Sequence, residues 1–192
     1  MNDDIKQFIG QHIKISDKIL DIFNKLVSYT ELDPLDFFTK SGDFPVDFII
    51  IKTGVIRSFT LNEKGIESTR AFLSTGDIAG ANSAMMKNEN STMNYQALTK
   101  VTGYKGNFYE LMKLTEKHHE LSIFYIKALE NAYLKAENLI IEISSLTTTE
   151  RYLELNKRIP GVYNLIKQKY IASYLNISTV QLSRIRRKLT EN

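Results

Sequence analysis

The sequence predicts an α+β protein: helices at the N-terminus, a β-domain, a long helix and a C-terminal helix-turn-helix. Three observations carry that prediction. Between residues 35 and 101, short apolar runs separated by turn residues recur at roughly ten-residue spacing. From Phe108 to Leu146 a three- and four-residue apolar period takes over. Near the end, residues 168–189 read QKYIASYLNISTVQLSRIRRKL, two short amphipathic helices around a tight turn.

Residues 1–32 read as helical, because Ile5, Phe8, Ile9 and Ile13, then Ile19, Ile22, Phe23 and Leu26, recur at helical steps. Ser16-Asp17 is a cap between two helices, and Asp33-Pro34 breaks the pattern. The strands start with the β-branched run Phe48-Ile49-Ile50-Ile51 and a turn at Gly54. Residues 55–61 follow with imperfect alternation, Asn62-Glu63-Lys64-Gly65 makes a hairpin turn, and 67–73 return. The spacing fits a β-sandwich, roll or barrel. After a turn at 74–77, residues 82–86 suggest a short helix, 87–91 a polar loop and 93–101 another strand.

The helical stretch 108–146 carries a seam of Leu129, Ala132, Ala136, Leu139, Ile143 and Leu146, spaced 3, 4, 3, 4, 3. Leu121 and Tyr125 extend it upstream. Such a heptad seam either packs on its own β-domain or pairs with the same seam of a second chain. Thr147 and Glu150 form a capping box that restarts a helix over 148–157, ended by Ile159-Pro160-Gly161. Residues 162–167 read as a loop or short strand. The expected domains are 1–107, 108–146 and 147–192.

In the bihelical motif Ile171 and Leu175 line one helix, and Leu182, Ile185 and Leu189 the other. Asn176 suits the left-handed residue between them, Ser178 and Gln181 make a second capping box, and Ala172 is small where the helices approach. Arg184, Arg186, Arg187 and Lys188 crowd the second helix, with no acid between Ser178 and Leu189. A helix that merely packs usually mixes its charge signs, so the pattern points to DNA.

Composition agrees. The 192 residues are 43% hydrophobic and 24% charged, with a net charge of +3. Residues 147–192 hold nine basic and three acidic side chains, a net +6, which leaves −3 for residues 1–146. A basic end on a mildly acidic body fits a phosphate-binding module on a sensing or scaffolding one. The chain has no cysteine, which excludes disulfides, thiolate zinc sites and cysteine-held iron–sulfur clusters. The acidic start MNDDIKQFIG is no signal peptide, and no run of about 18 apolar residues exists, so a cytoplasmic protein with no membrane partner is expected. A cupin-like metal enzyme would need histidines on facing strands, and residues 35–101 contain none. No catalytic residue, metal site or cofactor is expected.

The segments FIIIKTGVIR (48–57), GDIAG (76–80) and 168–188 together resemble the Crp–Fnr superfamily of bacterial transcription regulators. The last is similar to short members from Bacteroidetes-type bacteria, and the resemblance covers about 35–189. It implies that the β-domain is a cyclic-nucleotide-binding-like jelly roll, that the long helix is a homodimer interface and that the second helix of the motif reads an operator. It adds RNA polymerase as a candidate partner.

The departures are as informative. The family's ribose-binding Glu falls here on Ala81 and its phosphate-binding Arg on Ser91, with Thr92 next. Lys87 is the only base between Arg70 and Lys100, so cyclic AMP is not expected, and any other effector stays unassigned. Of the haem-ligand candidates His12, His118 and His119, the last two sit in a Lys-Glu-rich stretch that reads as solvated helix. Only Thr190-Glu191-Asn192 follow Leu189, too few for the family's C-terminal wing.

With Leu182, Ile185 and Leu189 inward, the outward face of the second helix is Thr179, Val180, Ser183, Arg184 and Arg187, the expected base readers. Arg184 suits guanine O6 and N7, and Val180 a thymine methyl. Lys169, Tyr170, Arg186 and Lys188 are the expected phosphate contacts. The alternatives are a degenerate dimer acting as a protein scaffold and the cupin-like enzyme.

Overall fold

The computed structural model describes residues 2–10 and 14–190. His12, Ile13, Glu191 and Asn192, named above, lie outside the described residues. Helices α1 (Asn2–Gly10) and α2 (Asp17–Leu26) come first. The strands are β1 (Val27–Leu32), β2 (Phe37–Thr39), β3 (Asp47–Thr53), β4 (Ile56–Leu61), β5 (Glu67–Leu73), β6 (Ile78–Ala79), β7 (Asn94–Ala97) and β8 (Val101–Asn107), with the short helix α3 (Asn82–Lys87) before β7. They form two antiparallel four-stranded sheets, ordered β1-β8-β3-β6 and β2-β7-β4-β5.

The continuous run Phe48–Ile51 is explained by burial on both faces. Ile49 and Ile51 point between the sheets, where they meet Ile56, Ala79, Ala97 and Val101. Phe48 and Ile50 point the other way, into a helical layer built from Ile5, Ile9, Phe23, Leu111 and Phe124. Phe124 sits edge-on to Phe23, with ring centroids 5.4 Å apart. Two glycines are fixed by this packing. Gly54 holds φ +95°, and a Cβ there would lie 2.3 Å from the Lys100 carbonyl oxygen. A Cβ on Gly103 would lie 2.2 Å from the Ile50 oxygen.

Several expectations are corrected. Residues 27–32 are a strand, not the end of a helix: β1 pairs along its length with β8, from Val27↔Gly106 to Leu32↔Val101. The expected strand 93–101 divides between β7 and β8. The expected helix 108–146 is two helices, α4 (Phe108–Thr115) and α5 (His119–Ser145), with His118 as the N-cap of the second. Residues 162–167 contain a short helix, α7 (Val162–Leu165), neither strand nor plain loop.

The predicted restart at Thr147 is present. Glu150 N–H donates to Thr147 Oγ1 at 3.3 Å, and Thr147 N–H to Glu150 Oε2 at 2.7 Å. It opens α6 (Thr148–Arg158). Then come α8 (Gln168–Leu175) and α9 (Thr179–Thr190). These helices share a third core, Tyr152, Leu155, Val162, Ile171, Leu175 and Leu182 among its members. That core also takes in Val55 of the β-domain, with Phe72 and Leu98 packed against it.

Candidate nucleic-acid interface

The turn of the bihelical motif is built by two local devices. Asn176 adopts the left-handed conformation (φ 57°, ψ 46°). Its N–H donates to the Ser173 carbonyl at 3.2 Å and that of Ile177 to the Ala172 carbonyl at 3.0 Å, closing α8. Ser178 and Gln181 then open α9 reciprocally: Gln181 N–H donates to Ser178 Oγ at 3.2 Å and Ser178 N–H to Gln181 Oε1 at 2.9 Å. Ala172 is buried, as its size predicted.

α9 has one buried edge and one wet face. Leu182 is fully buried and Ile185 half-buried against the core it shares with α8. Leu189, expected inward, is exposed and stands outside that cluster, because the last turn of α9 outruns it. Thr179, Val180, Ser183, Arg184 and Arg187 are all exposed, and so is Lys188. One face therefore presents hydroxyls, an apolar Val and guanidinium groups, the donor set that suits base edges and phosphates.

Two expected phosphate contacts, Tyr170 and Arg186, also pack against their own chain. Tyr170 is buried, with its ring against the Arg57 guanidinium at 3.9 Å to the centroid. Arg186 is half-buried over the Tyr163 ring, which stacks on Tyr152 with centroids 4.5 Å apart. Burial and the Tyr152 hydroxyl push the Tyr163 phenol well above its ordinary range. Arg186 thus ties α9 to α6 and α7. Lys169 is exposed, its Nζ 4.8 Å from the Tyr170 centroid.

α8 lies across the outer face of the second sheet. Ser173 Oγ donates to the Glu67 carbonyl at 3.1 Å and accepts from Thr69 N–H at 3.0 Å. The Tyr174 and Phe72 rings pack with centroids 5.2 Å apart. Arg57, among the largest fully buried side chains, sits at the centre of this contact. Sequence reasoning passed over it. The only signal was a lone cation inside VIRSF, where the alternation of β4 fails because both its faces are covered.

Ala81, Ser91 and Thr92 do come together, around one hollow of about 70 Å³. Ala81 and Ser91 are buried, and the Ser91 hydroxyl donates to the Met93 carbonyl at 2.7 Å. Lys87 is the only cationic side chain in the lining, with Glu89 beside it. Ligand pockets usually enclose at least about 300 Å³, well above this hollow, and its lining brings no buried cation to a phosphate.

On α5 the large exposed apolar side chains lie beside the expected seam as well as on it. Ile126, Tyr133 and Ile140 recur every seven residues and are exposed, Tyr133 to 66% and Ile140 to 67%. Ile143, Leu134 and Ile141 flank them, also exposed. Of the expected seam, Leu129 is half-buried and Ala132, Ala136 and Ile143 are exposed. Leu139 instead packs on the α6–α9 core of its own chain, and Leu146, half-buried, is the C-cap of α5. Lys135 on the same helix pairs with Asp77 of the 76–80 segment.

Among the described residues no group of three His, Asp or Glu side chains is placed to hold a metal ion, and no helix is long and apolar enough to cross a membrane. No family model and no curated protein matches the sequence. Solved structures do match the fold. FixK2 from Bradyrhizobium japonicum superposes with a TM-score of 0.72 at 17% identity, over 86% of this chain and 85% of that one. A protein described as a regulator of the Crp/Fnr family, from Eubacterium rectale, gives 0.69 at 13% identity, over 92% and 84%. CLP, a c-di-GMP-responsive global regulator of Xanthomonas campestris, gives 0.67 at 11%, over 92% of each chain. The chain has the Crp–Fnr fold.

Proposed function

We propose that this protein is a sequence-specific DNA-binding transcription regulator that works as a homodimer in the cytoplasm, and not an enzyme. The exposed face of α9 carries the reading: Thr179, Val180, Ser183, Arg184 and Arg187 form one surface of hydroxyls, an apolar side chain and guanidinium groups. Arg184 hydrogen-bonds a guanine edge, Val180 meets a thymine methyl, and Lys169 and Lys188 hold phosphates. The exposed α5 stripe pairs with its own copy and presents two α9 helices to successive major grooves of a two-fold operator. The fold shared with CLP, a global regulator, and with the Eubacterium rectale protein described as a Crp/Fnr regulator supports this reading.

Cyclic AMP is not the effector. The lining of the hollow at Ala81 and Ser91 offers its phosphate no buried cation. RNA polymerase is a partner wherever the bound dimer lies beside a promoter.

Selection of bound duplexes from a random pool tests the proposal. The expected result is a two-fold motif, bound at least about a thousandfold tighter than random DNA, with affinity falling steeply as salt rises. Enrichment of no motif, with weak binding indifferent to salt, would favour the scaffold reading instead.

A further inference from the structure

The buried guanidinium of Arg57 is the least expected group in the molecule. It is 1% exposed, on the outer face of β4. Phe59 lies on one side at 3.8 Å to the centroid and Tyr170 of α8 on the other at 3.9 Å. In its plane, Nε and Nη2 donate to Gln96 Oε1 at 3.1 and 2.8 Å, and Nη1 donates to Glu67 Oε2 at 2.6 Å.

Gln96 is held in turn, its Nε2 donating to the Leu35 carbonyl at 3.0 Å. Leu35 takes φ 79°, a strained conformation for a side chain of that size. A cation withdrawn from water this completely destabilises a fold unless its donors and both its faces are matched. Here each of its three nitrogens has an acceptor and two rings stack on it, and one of those rings belongs to the DNA-reading module.

We infer that Arg57 is a positioning residue: through Tyr170 it locks α8 to the β-domain and thereby sets where α9 points. The inference rests on the DNA-binding reading for its last step only. The ring and fork fix the direction of α8, Ser173 fixes its register against β5, and the Asn176 turn carries that orientation into α9. The device also touches the hollow. β7 bears Gln96 on its outer face and Tyr95 on its inner one, where Tyr95 lines the hollow with Ala81 and Ser91. A shift of β7 therefore moves the acceptor of the Arg57 fork.

The test uses the full chain and compares Arg57→Leu, which keeps bulk but loses charge and fork, with Arg57→Lys, which keeps charge but neither stacks nor forks. Amide exchange in the unbound protein is expected to quicken in α8 and α9 for both, most for Leu, with β3 and β8 unchanged. If only about a tenth of molecules keep α8 docked, operator affinity falls about tenfold.

Because the chain has no cysteine, Thr69→Cys with Ser173→Cys, at the 3.0 Å contact of Thr69 N–H with Ser173 Oγ, offers a single crosslink across the same contact. In the Arg57→Leu background, oxidation is expected to restore exchange protection and affinity, and reduction to remove both. Unchanged α8 exchange in Arg57→Leu overturns the inference. So does an oxidised crosslink that leaves operator affinity as weak as in the uncrosslinked variant. Arg57→Leu that loses protection in β3 and β8 as well, unrescued by the crosslink, assigns Arg57 to overall folding and also overturns it. If the parent protein binds no DNA, the functional reading fails, while exchange still decides whether Arg57 holds α8.

Discussion

Ile140→Glu on α5 is expected to dissociate the proposed dimer without unfolding the chain. Ile140 is 67% exposed in the single chain and sits mid-stripe between Tyr133 and Ile143. Fully burying an isoleucine contributes about 1.5–3 kcal/mol, so burying the exposed two-thirds in a dimer contributes about 1–2 kcal/mol per copy. Two-fold symmetry doubles this to about 2–4 kcal/mol, a change of roughly 30- to 700-fold in the dimer Kd. Facing glutamates weaken it further. Sedimentation equilibrium across a concentration series reads the shift, and circular dichroism checks that helix content and Tm hold. Leu139→Ala is the companion: Leu139 packs on its own α6–α9 core, so this change lowers the Tm and leaves association as it was. The reasoning is refuted if Ile140→Glu follows the parent association curve, or if Leu139→Ala breaks the dimer at unchanged Tm.

The other predictions concern the two ends of the molecule. Arg184→Ala removes operator preference, costing about 1–3 kcal/mol of discrimination at one base pair, whereas Lys188→Ala weakens all sequences alike and lowers the salt slope by about one; gel shifts on specific and random duplexes separate them. Calorimetry with cyclic AMP gives no saturable heat, and tight stoichiometric binding would sink the pocket argument. The Glu67 carboxyl is held below its ordinary 4.5, first by its hydrogen bond from Arg57. A depressed pKa means its stabilisation is complete above about 4.5 and lost as pH falls through the folded value, so α8 undocks in acid and Glu67→Gln flattens that dependence. Amide exchange in α8 between about pH 6 and about pH 3 reads both.

What was legible in the sequence depended on how far each cause reached along the chain. The turn between α8 and α9 was readable because Asn176, Ser178 and Gln181 act on neighbours one to four residues away. The break at Thr147 was readable for the same reason. Strand β1 was not: Val27 follows a helical period without interruption, and its strand geometry comes from β8, far along the chain. On α5 the heptad spacing announced a stripe but not which side of it packs on the rest of the chain. Leu139, Ile140, Ile141 and Ile143 cover most of the circumference, so two phases fit, and only the α6–α9 core selects which residue turns inward. Tyr170 looked like a surface residue between Lys169 and the turn. Its burial needs the second sheet beneath α8, which nothing in residues 168–189 foretells.

The two helices of the motif bear opposite amounts of constraint. Tyr170, Ile171, Ala172, Tyr174 and Leu175 are all buried, and the half-buried Ser173 hydrogen-bonds β5, so α8 has almost no position open to change. The outer side of α9 is exposed from Thr179 to Arg187, and its anchoring falls to Leu182, Ile185 and Arg186. On the proposed DNA-binding function, retargeting this protein to a new promoter is a matter of recoding Val180, Ser183 and Arg184 at little thermal cost. Grafting the whole motif onto a foreign carrier leaves the underside of α8 bare.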